Sequence, residues 1–360
     1  MTLMERYLAT FSFKPVDVPF VRSIGGWAET AERWRNEGWD GGSLDEKFGT
    51  DPIWHTGVYY GPVPPFEYQV LEETETTRVY INHEGIVMRE FKDYSGNSSM
   101  PQFIRFPVEN DADFETFCAE RLQVVFDQRI PPNWPDMINA FKQGTLPVAS
   151  FADRWGGFFG PLRNLMGVEN LCMAFYDNPK LIERMMDQRV EAMLAITAEA
   201  FKHYVPQTFM FWEDMAFKTA SLLSPAHFRK YMVPRYAEVT QWLRKQGVIH
   251  VGVDSDGDIT ELIPLWLEAG LDLIVPFEVA AGMDVVQMRR EYGTSLLMMG
   301  GIDKKCVAIG GQTMRDEVDR VMPVVESGGY IPELDHSAPP DISWPNMCEY
   351  MEYLMMRLGR

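Results

Sequence analysis

Cysteine is scarce in this 360-residue chain, and none of its four cysteines lies at CxxC spacing. Because Cys118, Cys172, Cys306 and Cys348 are scattered, the sequence does not predict a disulfide framework, and it favours a reducing compartment. Long apolar runs are missing as well, since no stretch reaches the roughly 20 residues that a membrane-spanning helix needs. We therefore expect a cytoplasmic protein that is not inserted in a membrane.

Basic residues are too few to balance the acidic ones. The chain has 33 Lys and Arg against 52 Asp and Glu, which gives a formal net charge of −19. This charge repels the phosphates of nucleic acids and of anionic lipids, so neither is an expected partner. Apolar residues make up 46% of the chain, with 10 Trp, 22 Phe and 14 Tyr, which is ample for a large core.

The chain also lacks a GxGxxG fingerprint, although its second half alternates apolar strands with amphipathic helices. Continuous apolar strands joined by helical crossovers are typical of a buried parallel sheet, which is either a barrel or a doubly wound sheet. The length and the missing fingerprint favour an α/β fold of the (β/α)8 TIM-barrel type. We expect residues 1–360 to form a single barrel domain.

The first half of the chain is less regular. Helices are predicted at its start and over Trp27–Glu37, where apolar spacing ends at a glycine. Residues 78–91 alternate β-branched with polar side chains around a His-Glu-Gly turn, which predicts two strands. The barrel is therefore expected to carry an N-terminal extension and a strand-rich insertion. Later in the chain, Asn178-Pro179 and Ser224-Pro225 are expected to begin helices.

Polar residues follow the predicted strands of the second half, where the site of a (β/α) barrel lies. These strand ends carry Glu213-Asp214, Asp254-Ser255-Asp256, Glu278, Asp303 and Asp335-His336. Asp258 and Asp303 precede helices and are interpreted as N-caps, an explanation that does not fit Glu278 or His336. Several carboxylates and one imidazole at neighbouring strand ends would repel one another, so we expect a metal ion or a cationic substrate there.

The alternation of side chains along one predicted strand indicates which of these polar residues lie near its end and which lie deeper in the barrel. Alternation along VIHVGVDSD places His250, Asp254 and Asp256 on the same face of the sheet. If that face is the barrel interior, Asp254 and Asp256 lie at its top and His250 is packed deeper, more as a core residue than as a ligand.

Three segments of the C-terminal half resemble the uroporphyrinogen decarboxylase superfamily. VDSDGDITELIPLWLEAGLD is similar to its Asp-Ser-Gly segment and the following helix, GGIDKK to its Gly-Asn-x-Asp-Pro turn, and LDHSAPPDISWPN to its Leu-Gly-His segment. The resemblance covers about residues 205–350 well and the rest of the chain loosely. It implies a (β/α)8 barrel with the site at the carboxyl ends of the strands. The superfamily contains porphyrinogen decarboxylases and zinc-dependent methyltransferases that serve corrinoid proteins.

The absence of the paired-arginine motif of the decarboxylases favours the methyltransferase branch. True decarboxylases of the superfamily hold substrate carboxylates with paired arginines, whereas the corresponding region here, PFVRSIGG, has Arg22 alone. The resemblance therefore implies a methyltransferase that moves a methyl group from a small methylated compound, such as a methoxylated aromatic, to the cobalamin of a corrinoid protein, in an O-demethylation. Decarboxylation of a porphyrinogen-like or other small carboxylated substrate is the alternative, and a catalytically silent binding barrel is a third hypothesis. A homodimer is compatible with the resemblance.

The resemblance also implies a metal site. The zinc-binding His-x-Cys positions of the methyltransferases fall on Asp254 and Asp256, and a later cysteine position falls on His336 or its neighbour. We predict zinc ligands among Asp254, Glu278, His336 and Cys306. Cys306 begins a helix, which would lower the pKa of its thiol. Its alternative, given equal weight, is a buried first-turn residue without a ligand role.

The remaining assignments concern catalysis and substrate. Asp254, His336 and Asp214 are the predicted catalytic groups, because cleaving an ether or an amine needs a proton or a Lewis acid at the departing heteroatom. Aromatic side chains near the strand ends would hold an apolar methyl donor. The predicted substrate-binding residues are Trp212, Phe217, Phe277 and Asp256.

Overall fold

A computed structural model describes residues 1–92 and 101–360 of the chain. The strands are β1 (Trp54–His55), β2 (Gln69–Glu73), β3 (Thr77–Ile81), β4 (Val87–Phe91), β5 (Gln102–Arg105), β6 (Val148–Phe151), β7 (Thr208–Trp212), β8 (His250–Asp254), β9 (Leu273–Val275), β10 (Leu297–Met299) and β11 (Tyr330–Ile331). Seven of them form one parallel sheet in the order β1-β6-β7-β8-β9-β10-β11. This architecture confirms the predicted parallel α/β fold.

Helices connect the strands of the parallel sheet, as parallel pairing requires. They are α1 (Leu3–Phe11), α2 (Ala28–Asn36), α3 (Leu44–Phe48), α4 (Asp111–Arg121), α5 (Trp134–Lys142), α6 (Phe159–Met166), α7 (Val168–Asp177), α8 (Pro179–Phe201), α9 (Pro225–His227), α10 (Val233–Gln246), α11 (Ile263–Glu268), α12 (Val285–Tyr292), α13 (Lys304–Ile309), α14 (Gly311–Ser327) and α15 (Trp344–Arg357). Asn178 and Ser224 cap the starts of α8 and α9 as predicted, each with its side chain accepting a backbone N–H. Among the helices described, none is long and apolar enough to cross a membrane.

The parallel sheet has seven strands where a complete (β/α)8 barrel has eight. The segment 20–27 occupies the remaining place without forming a strand. On one side its Val21 carbonyl accepts the N–H of Asp51, just before β1, at 2.8 Å. On the other side Gly26 forms a single parallel bridge with Ala338, beyond β11. The eighth strand is therefore replaced by an irregular segment, and the glycines at positions 25 and 26 are consistent with its weak pairing.

The predicted insertion is present as a separate antiparallel sheet of four strands, β2-β3-β4-β5. Its central hairpin pairs Thr77 with Phe91 and Ile81 with Val87, which confirms the two strands expected around the His-Glu-Gly turn. Tyr80 and Met88 bury one face of this hairpin in a small apolar cluster. The insertion has its own small core and lies outside the parallel sheet.

Asp51 joins three parts of the chain. It is 1% exposed, and its carboxylate accepts hydrogen bonds from Arg6 of α1 at 3.2 Å and from the backbone N–H of Val21 at 3.1 Å. Arg360 also donates to it through both terminal nitrogens of its guanidinium. The segment 20–27 is thereby fixed next to the start of β1.

Replacing Asp51 with alanine should lower the free energy of unfolding by about 3–5 kcal/mol, because two guanidinium groups lose a buried carboxylate. Urea unfolding followed by circular dichroism measures the change. Asp17→Ala is the matched control, since Asp17 also binds Arg6 but its side chain is 40% exposed, and it should cost about 1 kcal/mol or less. Equal losses in the two variants would contradict the role given to Asp51.

Candidate active site

A cavity of about 400 Å³ lies on the inner side of the parallel sheet. Apolar side chains form most of its wall: Ile24, Ile53, Ala149, Phe151, Met210, Leu273, Val275, Pro276 and Met299. Its floor is at Thr208, the first residue of β7, whose hydroxyl lies 2.6 Å from that of Tyr7. Asp254 lines its other end and pairs in register with Trp212, four residues beyond Thr208. At ~3.3 Å per residue, the cavity is ~13 Å deep.

Three aspartates meet at the Asp254 end of the cavity. One carboxylate oxygen each from Asp214, Asp254 and Asp256 lies within 4.8 Å of the other two. Burial, reinforced by repulsion from Asp256 and Asp214, raises the pKa of Asp254 well above its usual value. Burial and Asp256 likewise raise the pKa of Asp214. We call these three residues the aspartate cluster, and near neutral pH it favours binding a proton or a cation.

His336 lies beside the aspartate cluster. Its Nε2 is 3.3 Å from Oδ2 of Asp256, and this hydrogen bond is the main reason that the pKa of His336 is raised. Trp27, which is 41% exposed, packs edge-on against the imidazole at 5.9 Å between ring centroids. The fold thus brings together four residues that the sequence placed at strand ends.

Glu213 fixes the backbone that carries Asp214. It is fully buried, and its carboxylate accepts the backbone N–H groups of Phe158, Phe159 and Gly160 at 2.7–2.8 Å. The hydroxyl of Tyr236 donates to the same carboxylate. Glu213 therefore joins the end of β7 to the start of α6, which is a positioning role that the sequence did not reveal.

Glu278 takes part in a different group. Its carboxylate lies 3.2 Å from Nζ of Lys304, which is also 3.4 Å from Asp335. Asp335 in turn accepts the backbone N–H groups of Val279 and Lys304. Within residues 1–92 and 101–360, Glu278 does not join the aspartate cluster as a potential ligand, so this geometry does not support its predicted role in binding metal.

Cys306 does not have the activated thiol that its place in a helix suggested. Burial, followed by the charges of Asp303 and Glu317, raises the pKa of Cys306 to about 11. The prediction that the pKa of the Cys306 thiol is lowered is therefore wrong. The physical reason is that Asp303, which caps α13 as predicted, accepts the N–H of Lys305 and also lies 3.6 Å from the Cys306 sulfur. Cys306 is also absent from the aspartate cluster among the described residues.

Two other residues of this region have structural roles. Asp258 accepts the N–H of Thr260 at 3.1 Å in a turn that precedes α11. The prediction that it caps this helix is wrong, because further turn residues separate it from Ile263, where α11 begins. His250 is buried with its Nδ1 3.1 Å from Asp272, which confirms its packing in the core.

The three predicted aromatic residues do not line the cavity. Trp212 lies under the guanidinium of Arg163 at 5.4 Å. Phe217 is 63% exposed in the loop after β7, and Phe277 is fully buried behind β9. Their assignment to substrate binding thus has no support in this geometry.

Three polar residues that the sequence did not single out for binding line the cavity instead. Arg22 places Nη1 3.3 Å from Oε2 of Glu333, which is 4% exposed. Burial raises the pKa of Glu333. His55 exposes its side chain to the cavity. Desolvation by the surrounding wall and the nearby charge of Arg22 lower the pKa of His55 to about 4, so its imidazole is neutral at pH 7. A charged residue inside an apolar run, as in PFVRSI and YIPEL, is the signal that could have identified Arg22 and Glu333.

Replacing Asp254 with asparagine should stabilise the metal-free protein. Because the pKa of Asp254 is higher in the folded than in the unfolded chain, its charge opposes folding at neutral pH. In buffer with EDTA, the melting temperature should rise by about 2 °C or more at pH 8. The gain should shrink as the pH falls toward about 4. Asp258→Asn, outside the cluster, is the control, and a lower melting temperature for the Asp254 variant at pH 8 would contradict the prediction.

Comparison with known proteins identifies the family. Residues 138–355 match the uroporphyrinogen decarboxylase (URO-D) family, while no curated protein matches the chain. A solved structure described as a methyltransferase from Methanosarcina mazei aligns with a TM-score of 0.64 at 14% identity, covering 99% of both chains. A B12-independent methionine synthase from Shewanella sp. W3-18-1 aligns with a TM-score of 0.35 at 12% identity, over 62% of this chain and 65% of that one. Because the family match spans more than half of its length, the chain belongs to the URO-D family.

Proposed function

We propose that the protein is a methyltransferase that moves a methyl group from a small methylated compound to a corrinoid protein. The observation that carries this proposal is the position of the aspartate cluster at the end of a small, mainly apolar cavity. A cavity of about 400 Å³ suits a substituted aromatic ring. The structural likeness to a protein described as a methyltransferase supports the fold that this proposal requires.

The cluster can provide the acid that this chemistry needs. When a methyl group leaves a substrate oxygen or nitrogen, the bond to carbon breaks and the heteroatom keeps the electron pair, so it must gain a proton or a Lewis acid. Asp254 borders the cavity, and its raised pKa favours the protonated form. We assign it as the proton donor. His336, whose pKa is raised by its hydrogen bond to Asp256, is the group that we assign to restore the proton of Asp254. The methyl group would pass to the reduced corrinoid of the partner protein, which would supply the electron pair of the new bond to carbon.

The aspartate cluster also fits a divalent cation. Three carboxylate oxygens converge within 4.8 Å of one another. Burial, followed by repulsion within the cluster, raises the pKa values of Asp254 and Asp214, and a cation would relieve that repulsion. Carboxylate ligands suit magnesium and manganese, and zinc accepts them together with an imidazole. In the metal-bound form Asp254 would be deprotonated and the ion would replace it as the acid; we propose that Asp214, Asp254 and Asp256 would then hold the metal, with His336 as the neighbouring nitrogen donor. When bound, the metal would polarise the departing heteroatom.

Arg22 favours a second candidate, the decarboxylation of a small carboxylated substrate, because it places a guanidinium in the cavity. Two observations weigh against it. Arg22 is already paired with Glu333, and the opposite end of the cavity is acidic. A porphyrinogen with its many carboxylates fits this cavity poorly.

Methylation of cob(I)alamin by a methoxylated arene, followed by absorbance, tests the proposed reaction. Asp254→Asn should lower kcat by about 100-fold or more, because the departing oxygen loses its acid. Asp258→Asn is the matched control and should keep full activity, since asparagine preserves the turn to Thr260. Release of CO2 from a carboxylated arene, without formation of methylcobalamin, would replace this proposal by the second candidate.

Calorimetric titration of the EDTA-treated protein with Zn²⁺ and with Mn²⁺ tests the metal site. We expect one bound ion, with affinity reduced at least tenfold by Asp214→Asn or Asp256→Asn. His336→Gln should weaken Zn²⁺ more than Mn²⁺, because imidazole suits zinc better. Glu278→Gln is the control, since this carboxylate is paired with Lys304. An equal loss of affinity in that variant would restore Glu278 to the ligand set.

A further inference from the structure

The aspartate cluster faces another polar group across the cavity. Arg22 lies on the segment 20–27, which is flanked by β1 with His55 on one side and by β11 with the nearby Glu333 on the other. Counted from this segment, β8 is the fourth strand of the parallel sheet in both directions. Asp254 at the end of β8 is therefore on the opposite wall from Arg22, and both residues line the same cavity.

This opposite wall has hydrogen-bonding capacity that the protein itself does not fully use. Glu333 is 4% exposed, and its Oε2 has no well-aligned hydrogen-bond donor among the described residues, although Nη1 of Arg22 lies 3.3 Å away. His55 borders the cavity and packs edge-on against Phe151 at 5.9 Å, which leaves the ring nitrogens open to a ligand. A buried acceptor without a well-aligned donor is costly, and a ligand that donates to it would remove that cost.

The charges of this wall restrict which ligand group fits. The guanidinium of Arg22 is balanced by Glu333. The imidazole of His55 is neutral at pH 7, because desolvation by the cavity wall and the charge of Arg22 lower its pKa. The wall therefore carries no net charge, while the facing cluster is acidic. An anionic group would be repelled by that cluster and would have to displace Glu333 from Arg22. A hydroxyl group can donate to Glu333 and accept from Arg22 or His55 at once.

We infer that Arg22, His55 and Glu333 form a subsite that takes a neutral hydroxyl group of the methyl donor, at the end of the molecule opposite its methyl group. This inference rests on the proposed methyltransferase function and names the substrate class, which is a small methoxyphenol with its two oxygens far apart. The apolar wall between the two polar ends holds the ring. The subsite binds and orients the substrate, and it takes no part in proton transfer to the methoxy oxygen.

Calorimetric binding to the wild-type protein, without any corrinoid, tests the subsite. We expect 4-methoxyphenol to bind at least about tenfold more tightly than methoxybenzene, which lacks the hydroxyl. It should also bind more tightly than 2-methoxyphenol, whose oxygens are adjacent, and than 4-methoxybenzoate, which is anionic. Equal binding of 4-methoxyphenol and methoxybenzene, or preferential binding of 4-methoxybenzoate, would overturn the inference.

Glu333→Gln provides a test that loss of folding cannot mimic. Because the variant leaves the charge of Arg22 unbalanced, the preference should invert: 4-methoxybenzoate should bind at least about tenfold more tightly than it does to the wild type, and 4-methoxyphenol more weakly. Asp258→Asn, remote from this wall, should keep the wild-type preference. An unchanged preference in a folded Glu333→Gln protein would refute the role of Glu333.

Activity measurements distinguish a failure of the proposed subsite from a failure of the methyltransferase function on which it rests. Hydroxyl-dependent binding without methyl transfer to cob(I)alamin would refute the methyltransferase proposal and support the subsite. Methyl transfer from methoxybenzene and from 4-methoxyphenol with equal kcat/KM would support the methyltransferase proposal and overturn the subsite.

Discussion

The repulsion among three half-buried carboxylates is the constraint on which the site depends. Asp214, Asp254 and Asp256 converge because β7 and β8 are adjacent parallel strands that end at the same edge of the sheet. The chain could relax the repulsion by letting one strand end move away. Glu213 prevents this, because it is buried and bound to three backbone N–H groups at the start of α6. Glu213 and the backbone that it binds thus keep the aspartate cluster in place, and a proton or a cation must relieve the repulsion within it.

The irregular segment 20–27 supplies the second polar group of the cavity. An eighth regular strand would add a ladder of backbone hydrogen bonds between β11 and β1, whereas the segment 20–27 makes only isolated contacts with its two neighbours. Asp51 fixes one end of the segment by accepting the N–H of Val21. Arg22, the next residue, then reaches Glu333 across the cavity wall. Under the proposed function, a molecule with two polar ends and an apolar middle would fit this cavity in one orientation.

The predictable part of the site followed from local sequence patterns. Apolar runs located the strands, and because parallel strands end at one edge, the residues that follow them had to be neighbours; this placed Asp214, Asp254, Asp256 and His336 together. The pKa of the Cys306 thiol could not be predicted from its place at the start of a helix, because burial, followed by the carboxylate of Asp303, raises it. Arg22 and Glu333 are 311 residues apart in the chain, so no local pattern could pair them.

The affinity of the proposed metal site would depend on pH, because its carboxylate ligands must be deprotonated to bind a cation. Protons compete with a cation for Asp254 and Asp214, because burial and mutual repulsion raise both pKa values. A protonated cluster and a metal-bound cluster both reduce the same repulsion, and each can stabilise negative charge on a departing heteroatom. Under the proposed function, the pH and the available cation would decide whether a proton or a metal acts as the electrophile at this end of the cavity.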